Sequence, residues 1–160
     1  MTEADEKHLK NLLRHVDNVS DSCLLLGERL IEAGEDELGL RLISNGYTHD
    51  HSKFSGIEWL YLRTENFGVE YDNLLAAAIR QHCTTNPHHP EYWHGIVHMP
   101  RIYLAEMVCD WSSRSHEFGN DLREWIKDKA TKKFKMTVQS KVYKEIKGFV
   151  DMLLDPGFTK

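Results

Sequence analysis

The chain reads as an all-α protein: a compact bundle of about six to seven helices forming one domain over residues 1–160. Apolar side chains recur every three or four residues through nearly the whole sequence, the spacing that puts them on one face of a helix. Alternating apolar and polar runs long enough for a half-buried strand are missing. The bulk composition agrees, because 41% apolar and 28% charged residues make an ordinary globular mixture, and this length can bury a sizeable core.

From Glu6 to Ala33 the series Leu9, Leu12, Leu13, Val16, Val19, Cys23, Leu26, Leu30 and Ile31 marks one long helix, with Gly34 as its stop. A shorter helix is expected from Glu37 to Ser44, ending before Asn45-Gly46. Thr48 is a suitable N-cap for a third, carrying His49, Asp50, Phe54, Ile57, Trp59 and Leu60 and closed by Gly68. Tyr71 to Cys83 is a fourth, and it must end before Asn86-Pro87 because proline disfavours helical geometry in the residue preceding it. Thr84 to Pro100, rich in proline and histidine, reads as an ordered loop with a short helical turn around Glu91-Tyr92-Trp93. Pro100 opens a helix through Ile102, Leu104, Met107, Val108 and Trp111. Asp121–Phe134 and Val138–Leu154 are two further amphipathic helices, the last packing on the rest.

A net charge of −5 gives no global basic field for gripping nucleic acid. The lysines at 127, 129, 132, 133 and 135 read first as a solvated helix face, and second as a patch that attracts phosphate. Cys23, Cys83 and Cys109 are too few and too scattered for a disulfide framework or a thiolate zinc site, and Cys23 reads as core. With no signal peptide and no apolar run of membrane-spanning length, the expected setting is reducing and cytoplasmic.

The chemistry-bearing residues are His15, the pair His49-Asp50, the group His82, His88 and His89, and Asp110. Imidazole nitrogen and carboxylate oxygen together suit zinc, iron, manganese, nickel and, with more oxygen, magnesium. Each residue also has a bland account. His15 lies among apolar neighbours and reads as a core histidine; Asp50 reads as a helix cap; Asp110 reads as the partner of Arg101 or Arg114. Taken together the bland accounts need several coincidences, whereas one buried site for one or two divalent ions explains all of them. Pro87 and Pro90 stiffen the backbone around His88 and His89, which reduces the entropy lost in holding a ligand. His51, His94, His98 and His116 read as surface residues or as supports. Lys53, one turn after Asp50, is expected either to hold phosphate or to pair with Asp50. Glu58 is expected to act as a general acid or base, or to orient a histidine. Arg80 and Arg101 flank the loop and are expected to bind phosphate.

The order His15, His49-Asp50, Asp110 resembles the HD superfamily of metal-dependent phosphohydrolases. Within it, the chain resembles a small phage and bacterial family of unknown function, DUF5662. The resemblance lies in His15-Val16-Asp17-Asn18-Val19, then His49-Asp50-His51-Ser52-Lys53-Phe54 with Glu58. It continues in Ala78-Ile79-Arg80-Gln81-His82, Asn86-Pro87-His88-His89-Pro90-Glu91 and Glu106-Met107-Val108-Cys109-Asp110-Trp111, covering roughly residues 10 to 136. It implies an HD-domain-like fold, with His15, His49, Asp50 and Asp110 as ligands of a first ion. It further implies that His82, with His88 or His89, serves a second. In this chain those extra histidines fall close together, so the resemblance leaves open which of them reaches metal. The implied activity is hydrolysis of a nucleotide or other small phosphate ester by a chain that acts alone or as a homodimer. The alternatives are an oxygenase with paired irons, as in proteins resembling myo-inositol oxygenase, and a non-catalytic helical binding protein with a structural metal.

Overall fold

A computed structural model describes residues 1–63 and 72–155. The stop expected at Gly68 and the start expected at Tyr71 lie outside the described residues. The protein is all-α, and no strand occurs among the described residues.

The first helix, α1 (Glu3–Glu32), carries the predicted apolar stripe. Leu12, Val19, Cys23, Leu26 and Leu30 are buried, and Gly34, at φ 83°, ends the run as expected. It packs along α2 (Asp36–Gly46). The contact is close because Gly27 and Gly39 face one another: a Cβ on Gly39 would lie 2.4 Å from the Gly27 carbonyl oxygen. Gly46, expected to lie beyond the end of this helix, is inside it. A Cβ there would lie 2.7 Å from Cys23 Cβ, so this glycine permits close approach rather than stopping the helix.

The helix expected to begin at Thr48 does not form there. The Thr48 hydroxyl donates to the Asn45 carbonyl, and Asp50 takes the left-handed conformation, at φ 58°. A single 3₁₀ turn (His51–Phe54) follows, then a short α3 (Gly56–Tyr61). Asp50 makes no side-chain capping bond, so its reading as a helix cap is also overturned.

After α4 (Asp72–Thr85), the predicted loop contains 3₁₀ turns at Pro90–Trp93 and Ile96–His98. Pro100 then precedes α5 (Arg101–Phe118), the central helix, in which Ile102, Leu104, Ala105, Met107, Val108 and Cys109 are all buried. The segment expected from Asp121 to Phe134 is one continuous helical run. It consists of α6 (Leu122–Trp125), a π-helical stretch (Ile126–Ala130) and α7 (Thr131–Lys133). The last helix, α8 (Lys141–Leu154), is capped by Ser140 and buries Ile146, Phe149, Val150 and Leu153 against α1 and α5. The α1–α2–α5–α8 core sets the two long helices side by side, and His15 and Asp110 project from them at one level. No helix of the described residues is long and apolar enough to cross a membrane.

Candidate metal centre

The seven residues expected to hold metal gather in one cluster, with the Asp50 carboxylate between its two halves. On one side, Asp50 Oδ2 lies 3.5 Å from His15 Nε2 and 3.5 Å from His49 Nε2. Asp110 Oδ1 closes this group, 3.2 Å from His15 Nε2 and 3.9 Å from His49 Nε2. On the other side, Asp50 Oδ1 lies 3.3 Å from His82 Nε2 and 3.5 Å from His88 Nε2, while His89 Nε2 lies 2.9 Å from His82 Nε2. His88 and His89 are therefore both part of the cluster.

These atoms are close without bonding one another. His15 Nε2, His49 Nε2, His88 Nε2, Asp50 Oδ1 and Asp110 Oδ1 are buried and have no hydrogen-bond partner among the described residues. Burying such groups unsatisfied costs about 1–3 kcal/mol each, so five at one point require a common explanation. Donors about 2.1 Å from a shared tetrahedral ion lie about 3.4 Å from each other. The distances within the His15–His49–Asp50–Asp110 group, from 3.2 to 3.9 Å, bracket that value. The donor set therefore fits a divalent cation, and Asp50 is placed to serve two.

The opposite ring nitrogens are anchored by glutamates. His15 Nδ1 donates to Glu117 Oε1 at 2.9 Å, His49 Nδ1 to Glu106 Oε1 at 3.1 Å, and His82 Nδ1 to Glu58 Oε2 at 2.8 Å. His88 Nδ1 also faces Glu106 Oε1, at 3.4 Å. A carboxylate behind an imidazole fixes its orientation and leaves Nε2 free to bind metal. Polar neighbours hold the glutamates in turn: Asn45 donates to Glu106, Ser52 to Glu58, and Asn18 to Glu117.

The electrostatics agree with this arrangement. Burial, then the charge of Lys53, pushes His82 down to about 3; burial and the neighbouring histidines do the same to His89. Both rings are therefore neutral and ready to donate. Burial opposes charge on His15, but contacts with Asp110 and Asp50 outweigh it and raise this group to about 9. Burial also opposes ionisation of Glu106, but bonds from His49 and His88 hold it down at about 2. Asp50 is held well below the usual carboxylate range, its burial outweighed by His49 and Lys53.

Lys53 donates to Asp50 Oδ2 at 2.5 Å and borders a cleft of about 390 Å³ that also reaches His15, His82 and Arg114. A second cleft of about 270 Å³, sharing Arg114 with the first, reaches His88, His89 and Asp110 beside Trp111, Phe134 and Lys133. One expectation is narrowed and two are corrected. Glu58 is fully buried behind His82 and lines neither cleft, which favours the orienting alternative of its two expected roles over the acid–base one. Arg101 pairs with Glu35 and Glu145 near the start of α5, about 14 Å along the helix from Asp110. Arg80 is exposed on α4 and borders neither cleft. Arg114, one turn beyond Asp110, borders both and holds the place expected for Arg80 and Arg101. It bonds to Glu117 rather than to Asp110. His51, His94, His98 and His116 are exposed, as expected.

Two supporting residues were not singled out from the sequence. Glu106 carried a usable signal, a lone acid inside the apolar run Leu104-Ala105-Glu106-Met107-Val108. Glu117 carried none, because its link to His15 spans 102 residues.

A family model, "Family of unknown function (DUF5662)", matches residues 4–155, and the chain belongs to that family. The match includes the C-terminal helix, beyond the limit of about residue 136 expected from the motifs. No curated protein and no solved structure matches the chain.

Proposed function

We propose that the protein is a metal-dependent phosphohydrolase of HD type, acting on a nucleotide or another small phosphate ester. The observation that carries this reading is the set of five partnerless buried donor atoms on His15, His49, His88, Asp50 and Asp110. His15, His49, Asp50 and Asp110 would hold a first ion, and Asp50 with His82, His88 and His89 a second. A divalent ion bound there lowers the pKa of coordinated water toward neutrality and polarises a phosphoryl oxygen. Lys53 and Arg114 border the clefts that reach the donors and supply positive charge for the phosphate. Glu58, Glu106 and Glu117 hold the imidazoles in their donating tautomer. Access from two clefts supports an open coordination position, which a purely structural metal would not need. The three free cysteines support a reducing, cytoplasmic setting.

The test is phosphate release by protein reconstituted with magnesium, manganese, iron, zinc or nickel, assayed against a broad panel of nucleotides and phosphate esters. Cleavage of any member that is lost in His49→Ala supports the proposal; a folded, metal-loaded protein inert toward the whole panel ends it. Five imidazoles around one shared carboxylate also make a nitrogen-rich set suited to iron, which favours an oxygenase as the second reading. Anaerobic metal analysis separates the two: bound iron with oxygen consumption supports the oxygenase, and activity restored by magnesium or manganese without iron eliminates it.

A further inference from the structure

Four of the clustered histidines have a glutamate behind the ring: Glu117 for His15, Glu106 for His49 and His88, and Glu58 for His82. His89 is placed differently. Its Nε2 meets His82 Nε2, and the residue also converges with Cys83 and Glu91. One donor atom from each of Cys83, His89 and Glu91 lies within 4.8 Å of the other two. Cys83 is half-buried in the last turn of α4, and Glu91 is exposed on the 3₁₀ turn that follows His89. The short connection between them is fixed by its own hydrogen bonds. Asn86 N donates to His82 O at 3.1 Å, His89 N to Asn86 O at 3.0 Å, and the Asn86 side chain to His82 O at 2.9 Å. With Pro87 and Pro90 in the same stretch, the three donors are positioned by local structure, before any ion arrives.

We propose that Cys83, His89 and Glu91 form an outer site for a thiophilic divalent cation of the zinc type, adjoining the Asp50 cluster and sharing only His89 with it. The donor set chooses the ion: thiolate, imidazole and carboxylate are the three zinc-binding groups, and thiolate disfavours magnesium and calcium. As the sulfur–metal bond forms, the Cys83 thiol gives its proton to solvent. Three protein donors leave one tetrahedral position for water. Because His89 belongs to both sets, occupancy of the outer site and of the His82–His88–His89 group depend on each other. The site is spectroscopically separable from the Asp50 cluster, whose donors are nitrogen and oxygen only. Cys23 and Cys109 are both fully buried in the core, which leaves Cys83 as the thiol that metal can reach.

The experiment titrates the full chain with Co²⁺ and follows the ultraviolet thiolate-to-cobalt absorption, with Zn²⁺ as competitor and circular dichroism as the folding control. The expected result is a saturable band that Zn²⁺ bleaches. It should be absent in Cys83→Ser and present in His15→Ala. In Glu91→Gln cobalt affinity should fall by roughly tenfold or more. Zn²⁺ should also protect Cys83 from alkylation. Failure of the wild-type chain to give a band, or survival of the band in Cys83→Ser, overturns the site. Unchanged affinity in Glu91→Gln overturns the three-donor assignment. If His15→Ala does not fold, the contrast between wild type and Cys83→Ser decides alone, and neither result depends on phosphohydrolase activity.

Discussion

His15 and Asp110 project from the middles of α1 and α5, whereas His49, Asp50, His88 and His89 stand on turns. The helix-borne pair is aimed by core packing: Leu12 and Val19 flank His15 on the buried face of α1, and Met107 lies beside Asp110 on α5. The turn-borne donors lack that support. Asp50 occupies a backbone region that costs a non-glycine residue about 1 kcal/mol or more, and such strain is retained where the surroundings impose it. Glu106 ties the two turns together, since one of its oxygens faces both His49 and His88, which lie on opposite sides of Asp50. One half of the centre is thus positioned by the core, and the other by a buried carboxylate network.

The largest effect should come from Asp50→Asn. Asparagine tolerates the left-handed backbone but removes the charge shared between both donor groups, so metal affinity should fall by more than ~100-fold with the fold retained. Metal analysis of the purified variant, with circular dichroism alongside, measures this. The next step down separates the two kinds of support. Glu106→Gln, behind two turn-borne rings, should weaken metal binding by roughly 10–100-fold, whereas Glu117→Gln, behind a ring already aimed by α1, should lie at or below about tenfold. Equal losses in a calorimetric titration would erase the distinction between helix-borne and turn-borne donors.

Protons supply a smaller, graded test. His15, raised to about 9, is protonated at neutral pH in the metal-free protein and must lose that proton to bind. Metal affinity should therefore rise with pH by up to about tenfold per unit until about pH 9. Binding at pH 7 should release protons, visible as a buffer-dependent heat. His82 and His89, held at about 3, contribute no such proton. In the metal-free chain the same His15 shift works in the opposite sense on stability. Its contribution is complete below the ordinary value of 6.5 and is lost as pH rises through about 9.

The smallest effect is expected for Arg101→Ala. It removes partly exposed pairs with Glu35 and Glu145, worth within about 1 kcal/mol of stability, and leaves metal affinity unchanged.

The same contrast explains what the sequence could reveal. The periodicities that placed α1, α5 and α8 are properties of single helices, and His15 and Asp110 were legible with them. The candidate donors at 49, 50, 82, 88 and 89 are legible as residue types and order, and the structure brings them together. Their backbone is not legible. Thr48 before His49-Asp50 reads as a helix start, whereas its hydroxyl bonds back to Asn45 and Asp50 takes a left-handed turn. Of the two roles expected for Glu58, its burial against His82 favours the orienting one. Arg101 was misplaced because nearness to the histidine loop in sequence puts it at the wrong end of α5. Cys83 is distant from the other cysteines, and the potential donors near it are a histidine and a glutamate a few residues on.

Anomalous diffraction from crystals grown with manganese or zinc tests the central claim most directly. The expected result is an ion bonded to His15 Nε2, His49 Nε2, Asp50 Oδ2 and Asp110 Oδ1 at about 2.0–2.2 Å, with any second ion on the Oδ1 side of Asp50. Metal-soaked crystals with no anomalous peak among these atoms, and with His15 bonded directly to Asp110, would contradict it.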